Sequence, residues 1–145
     1  MADNVIDDQT TTIDAELMDL AARLFDAARN GDAAMLAAYV DAGVPVNLTN
    51  ASGDTMVMLA AYYGNESAVA ALIARGADVD RPNDRGQTPL AGAVFKNDST
   101  VIELLLSADA DPLAGAPSAL ETARYFERAD IARQLAGHVE RRAVR

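Results

Sequence analysis

Residues 31–55 read GDAAMLAAYVDAGVPVNLTNASGDT and residues 64–88 read GNESAVAALIARGADVDRPNDRGQT, in step and without insertion. Gly31 and Gly64 stand 33 apart, as do Gly43 and Gly76, Gly53 and Gly86, and Thr55 and Thr88. A fixed period in this range marks stacked supersecondary units, each of which buries its apolar face only against its neighbours. The period points to a binding scaffold without naming its partner.

Working outward, three registers repeat a first helix that ends in LFDAARNG (24–31), VMLAAYYG (57–64) and LAGAVFKN (90–97). Asn97 replaces glycine in the third, and both residues accept the left-handed conformation that ends a helix. Asp32, Asn65 and Asp98 follow, each suited to cap a second helix through its side-chain oxygen. The second helices carry apolar residues at three- and four-residue spacings, such as Val69, Leu72 and Ile73, or Val101, Ile102, Leu104 and Leu105. Turns of the type GVPVN, GADVD and DADPL end them, and polar linkers lead to Gly-x-Thr, a turn glycine and a capping hydroxyl. Pro89 occupies a first helical position, where its missing N–H costs nothing.

Composition agrees. The chain has 145 residues, 50% hydrophobic but only 5% aromatic, which suits closely packed helices. Cysteine is absent, which removes disulfides and thiolate metal sites. The start, MADNVIDDQ, is acidic and does not read as a secretory signal; no apolar run approaches a membrane span, so a cytoplasmic protein is expected. A net charge of −10 argues against nucleic acid and anionic membrane as partners. Residues 1–22 carry six acids and no base, whereas residues 124–145 carry six arginines.

The run DRGQTPLAGAVFKND, followed by VIELLL and DAD and preceded by GADVD, resembles the ankyrin repeat, whose pattern is G-x-TPLH-x-A-A-x-x-G, two apolar helical turns and GA-D-V-N. The resemblance covers residues 20 to 137 and implies an all-α solenoid of about four helix-turn-helix repeats with short β-hairpin-like finger loops. The expected organisation is a flexible acidic leader (1–12) and a single domain with repeats at 13–49, 50–82, 83–112 and 113–145, the first and last acting as caps. Repeat 1 lacks the Thr-Pro start, so its first helix is expected to run back to Ile13 with Thr12 as its cap. Repeat 4 follows at an offset of 30, with Ser118 in the place of Thr88 and Arg128 where a cap is expected. The pattern's histidine is missing: TMVM and TPLA stand where TPLH would, so its bonds across repeats are expected to be absent and the stack loosened.

The resemblance further implies that a partner meets the concave side, built from finger tips and first helices. The variable finger positions are Ala51, Ser52 and Asp54, then Asp84, Arg85 and Gln87. The two positions before each helix stop hold Arg29 and Asn30, Tyr62 and Tyr63, Phe95 and Lys96, Tyr125 and Phe126. Five of the seven aromatic residues fall there, and aromatics are enriched at binding hot spots. Two roles are open to them: filling space between alanine-rich helices, or forming an exposed stripe through Tyr62, Phe95 and Tyr125. Exposure is favoured for Tyr62 and Tyr63, whose hydroxyls tolerate water, and packing for Phe126, near the end of the stack. The candidate partner-binding residues are thus Ser52, Asp54, Tyr62, Tyr63, Asp84, Arg85, Gln87, Phe95, Lys96 and Tyr125.

Asp54, Asp78, Asp80, Asp84, Asp109 and Asp111 recur with the repeat and read as turn chemistry rather than a metal site. The sole histidine, His138, reads as a helix-end or surface residue, and no nucleophile elbow, Walker loop or HExxH helix accompanies it. The expectation is a monomeric, non-enzymatic interaction module without cofactor or metal, binding an unidentified protein. An acidic face makes a basic surface on that protein a secondary implication. The alternative is a dedicated inhibitor or regulatory subunit of one enzyme or toxin, with acidic fingers set against a basic site.

Overall fold

A computed structural model describes residues 2–145, with side chains from Asp14 onward. Eight helices follow in chain order: α1 (Ala2–Asn30), α2 (Ala33–Asp41), α3 (Met56–Tyr62), α4 (Glu66–Ala74), α5 (Pro89–Phe95), α6 (Ser99–Ser107), α7 (Ala119–Tyr125) and α8 (Ala129–Ala143). They form four pairs, α1 with α2, α3 with α4, α5 with α6 and α7 with α8. α1, α3, α5 and α7 stack on one another, while α2, α4 and α6 stack behind them. Leu24, Leu36, Met56, Leu72, Leu90, Ile102, Leu105 and Leu135 are fully buried and join the layers into one continuous core. This is the all-α repeat solenoid expected from the period.

Matched positions do matched work. Thr55 and Thr88 accept from the amides of Met58 and Ala91, each at 3.2 Å, and Ser118 accepts from Glu121 at 3.1 Å. Glu121 returns the bond by accepting from the Ser118 amide at 3.0 Å, closing a capping box. The left-handed stop recurs at Gly31, Gly64, Asn97 and Glu127, with φ of 82°, 73°, 57° and 56°. A second left-handed column runs through Gly43, Gly76 and Asp109.

Two expectations are corrected. α1 is continuous from Ala2, so Thr12 does not start it; no glycine or proline interrupts residues 2–30. Asn65 does not cap α4. Its side-chain amide instead donates to the carbonyls of Ala28 and Arg29, at 2.9 and 2.7 Å, and so ties α3–α4 to the end of α1. An amide can donate where a carboxylate cannot, and Asp32 and Asp98 do cap, accepting from Met35 and Val101 at 3.1 Å. Arg128 repeats the Asn65 solution in the last repeat, donating to the carbonyls of Val94 and Phe95.

The turn aspartates are also stitched. Asp78 accepts from the Asp80 amide at 2.9 Å, Asp80 from the Asp111 amide at 2.7 Å, and Asp111 from the Leu113 amide at 2.9 Å. Burial pushes the Asp80 carboxyl above its ordinary range, opposed by the Asp111 N–H.

Candidate functional site

The fingers are built around two asparagines 33 residues apart. Asn50 accepts from the amides of Ser52 and Asp54, and Asn83 from those of Arg85 and Gln87, all at 2.9–3.0 Å. Asn83 also donates to the Asp54 carboxylate at 2.8 Å and to the Gln87 side chain at 2.9 Å. The backbone continues the tie, with the Asp84 amide on the Ser52 carbonyl and the Ala116 amide on the Gly86 carbonyl, both 3.0 Å. Gly53 permits the approach: a Cβ there would stand 2.5 Å from the Asp84 carboxylate. The Thr49–Thr55 bridge closes the first finger in antiparallel fashion.

Between these fingers and the first helices lies a groove of about 560 Å³. Met58, Ala91, Gly92 and Thr122 line it from α3, α5 and α7, with Tyr62, Phe95, Tyr125 and Phe126 at the helix ends and Gln87, Pro117 and Glu121 on the finger side. A second hollow of about 290 Å³ shares Met58, Tyr62 and Gln87 and adds Ser52, Asp54, Leu59, Tyr63, Asn83 and Arg85. The five rings make one ladder. Tyr62 stacks near-parallel on Phe95 with centroids 6.4 Å apart, Phe95 meets Phe126 edge-on at 5.6 Å, and Phe126 meets Tyr125 at 5.0 Å. Tyr63 adds an edge contact to Tyr62 at 5.4 Å. These offset and edge geometries are the ones the ring quadrupole favours.

The ladder is open to solvent. Tyr125 is 82% exposed, Tyr63 53%, Phe95 47% and Phe126 43%, while Tyr62 is half-buried. The packing role expected for Phe126 and the exposure expected for Tyr62 are both corrected: Phe126 stays open although it meets Phe95 and Tyr125, whereas Tyr62 is partly covered by Tyr63, Phe95 and the Lys96 side chain. Eight of the ten candidate residues line one hollow or the other. Asp84 and Lys96 line neither: Asp84 spends its amide on Ser52, and the Lys96 ammonium lies over the Tyr62 ring at 4.7 Å. Arg128 sits likewise against Phe126, at 5.2 Å. Sequence reasoning missed Met58, Ala91 and Glu121. These three occupy the column of the missing histidine, so the signal was the departure from the pattern itself.

His138 is not at the surface. It is buried on α8 with its Nε2 3.1 Å from Asp109, whose carboxylate also receives two bonds from Arg145, at 2.7 and 2.8 Å. Arg142 donates to the Asp109 carbonyl. The Arg145 hydrogen bonds, with help from Arg142 and His138, hold the Asp109 carboxyl well below its ordinary range, at about 2. The cluster fastens α8 to the turn after α6. Among the described residues no group of His, Asp and Glu is arranged to hold a metal ion, and no helix is long and apolar enough to cross a membrane.

Paired helices in register, capped fingers tied across repeats and a groove between them define a repeat-solenoid scaffold. A family model described as ankyrin repeats in three copies matches residues 24–115. The chain belongs to the ankyrin repeat family. An ankyrin repeat protein of Pseudomonas aeruginosa is 41% identical over 53 residues, a stretch covering 37% of this chain and 31% of that relative. Ankyrin repeats are generally protein–protein interaction modules.

Proposed function

We propose that this protein is a non-catalytic, monomeric, cytoplasmic interaction module that captures a partner protein on the concave face between its fingers and first helices. The observation that carries this reading is the solvent-open ladder Tyr63–Tyr62–Phe95–Phe126–Tyr125 beside an apolar groove. Contiguous exposed rings are costly to leave in water and supply rigid contact area to a partner. The alternative of a dedicated inhibitor with acidic fingers has less support. The Asp54 carboxylate is committed to the amides of Asn50 and Asn83, and Asp84 is followed at once by Arg85.

The test is site-specific photo-crosslinking in the source cell. A benzophenone amino acid at Tyr125 should give a discrete adduct that disappears when Tyr62 and Phe95 are changed to alanine. The same probe at Glu103, exposed on α6 in the other layer, should give none. Adducts from Glu103 alone, or equally from both positions, refute the concave-face reading.

A further inference from the structure

We infer that the groove over α5 is shaped for one class of occupant: a polypeptide segment that seats a bulky apolar side chain on Ala91 and Gly92 and sets an arginine or lysine against Glu121. The inference rests on the concave-face reading and narrows it to a ligand chemistry.

Gly92 is the first observation. It lies inside α5 with ordinary helical backbone, so no left-handed turn requires glycine there. Packing does not require it either. A Cβ would meet the Met58 methyl and Tyr62 Cδ2 at 3.6 Å, ordinary contact distances. Alanine would fit and would steady the helix. What the absent side chain leaves is depth, in a groove whose walls are Tyr62, Phe95 and Phe126. Ala91 deepens the same floor, because its column holds the larger Met58 and Glu121 in the neighbouring repeats.

Glu121 is the second. It is the one formal charge among the described residues that line the groove. Its Oε1 takes the Ser118 amide, and it forms no ion pair among the described residues. Lys96 lies over the Tyr62 ring, and Arg128 lies against Phe126 while donating to the Val94 and Phe95 carbonyls, so neither pairs with Glu121. A carboxylate at the mouth of an apolar slot complements a cation beside an apolar anchor, and the chain's net charge of −10 steers basic partners toward it.

The experiment pans a phage-displayed library of random 12-residue peptides against the full chain. Enriched peptides should pair Trp, Phe, Leu or Met with Arg or Lys within three positions. A synthetic enriched peptide should bind Gly92→Ala about tenfold more weakly than the parent, although that variant resists urea better. Glu121→Gln keeps the capping bond and should weaken binding several-fold while flattening its salt dependence. Peptides that lose binding in Tyr62→Ala/Phe95→Ala but lack the apolar–basic pairing overturn this inference and leave the concave-face reading standing. So does unchanged affinity in both Gly92→Ala and Glu121→Gln. Peptides indifferent to the ring substitutions, or no enrichment at all, overturn both, as does saturation of the groove by a second copy of the chain.

Discussion

Asn65→Asp should destabilise the protein although it exchanges one good helix-capping residue for another at a cap position. The parent side chain donates to two carbonyls at the end of α1, at 2.9 and 2.7 Å. Each such bond contributes about 1 kcal/mol net, so losing both costs about 2 kcal/mol. A carboxylate against the negative end of α1 adds about 0.5 kcal/mol, and rotating it to cap α4 recovers about 1 kcal/mol. The net loss is about 1.5 kcal/mol. With a urea slope of about 2 kcal/mol per molar, the midpoint falls by about 0.7 M. Asp98→Asn is the mirror experiment. Asp98 already caps α6, and asparagine caps as well as aspartate, so its midpoint should stay within about 0.3 M of the parent. Urea titrations followed by circular dichroism measure both. An unchanged or raised midpoint for Asn65→Asp would refute the claim that position 65 works as a donor across repeats. A lowered slope with the lowered midpoint would show α1 and α2 coming away first, as nearest-neighbour stacking allows.

Three further predictions follow from the same geometry. Tyr125→Ala, at a ring 82% exposed, should cost less than about 1 kcal/mol, whereas Leu72→Ala, fully buried in α4, should cost about 2–5 kcal/mol; equal urea midpoints would mean that the ladder belongs to the core. The Asp109 carboxyl is held at about 2, chiefly by Arg145, against an ordinary 3.8, so its contribution is present above about pH 4 and is lost as pH falls from 4 toward 2. Asp109→Asn should remove that part of the acid slope, and midpoint curves for parent and variant that run parallel between pH 4 and 2 would contradict the clamp. Gly76, at φ +85° with open space where a Cβ would stand, should tolerate asparagine and lose about 1–2 kcal/mol or more with valine; equal thermal midpoints for Gly76→Asn and Gly76→Val would show that backbone conformation is not what position 76 requires.

The period made the backbone legible and left the side chains open, for a physical reason. Left-handed stops and capping hydroxyls are local requirements, met within four residues of where they arise, so equal spacing implies equal roles. The column 32, 65, 98 and 128 behaves otherwise, because its choice between capping forward and bonding backward is decided by carbonyls more than 30 residues away in the chain. Ring exposure was hidden likewise, since it depends on the size of whatever stands in the next repeat. Departures from the local rule were still informative. Asp109 stands where Gly43 and Gly76 stand, in a conformation that disfavours a side chain, and it anchors α8 by its carboxylate to His138 and Arg145 and by its carbonyl to Arg142. Gly92 is the converse departure, a residue that gives up about 1 kcal/mol of helix stability relative to alanine. Asp109 finds its compensation inside the fold. Gly92 finds none there, which is why the groove above it is the place to look for what the protein binds.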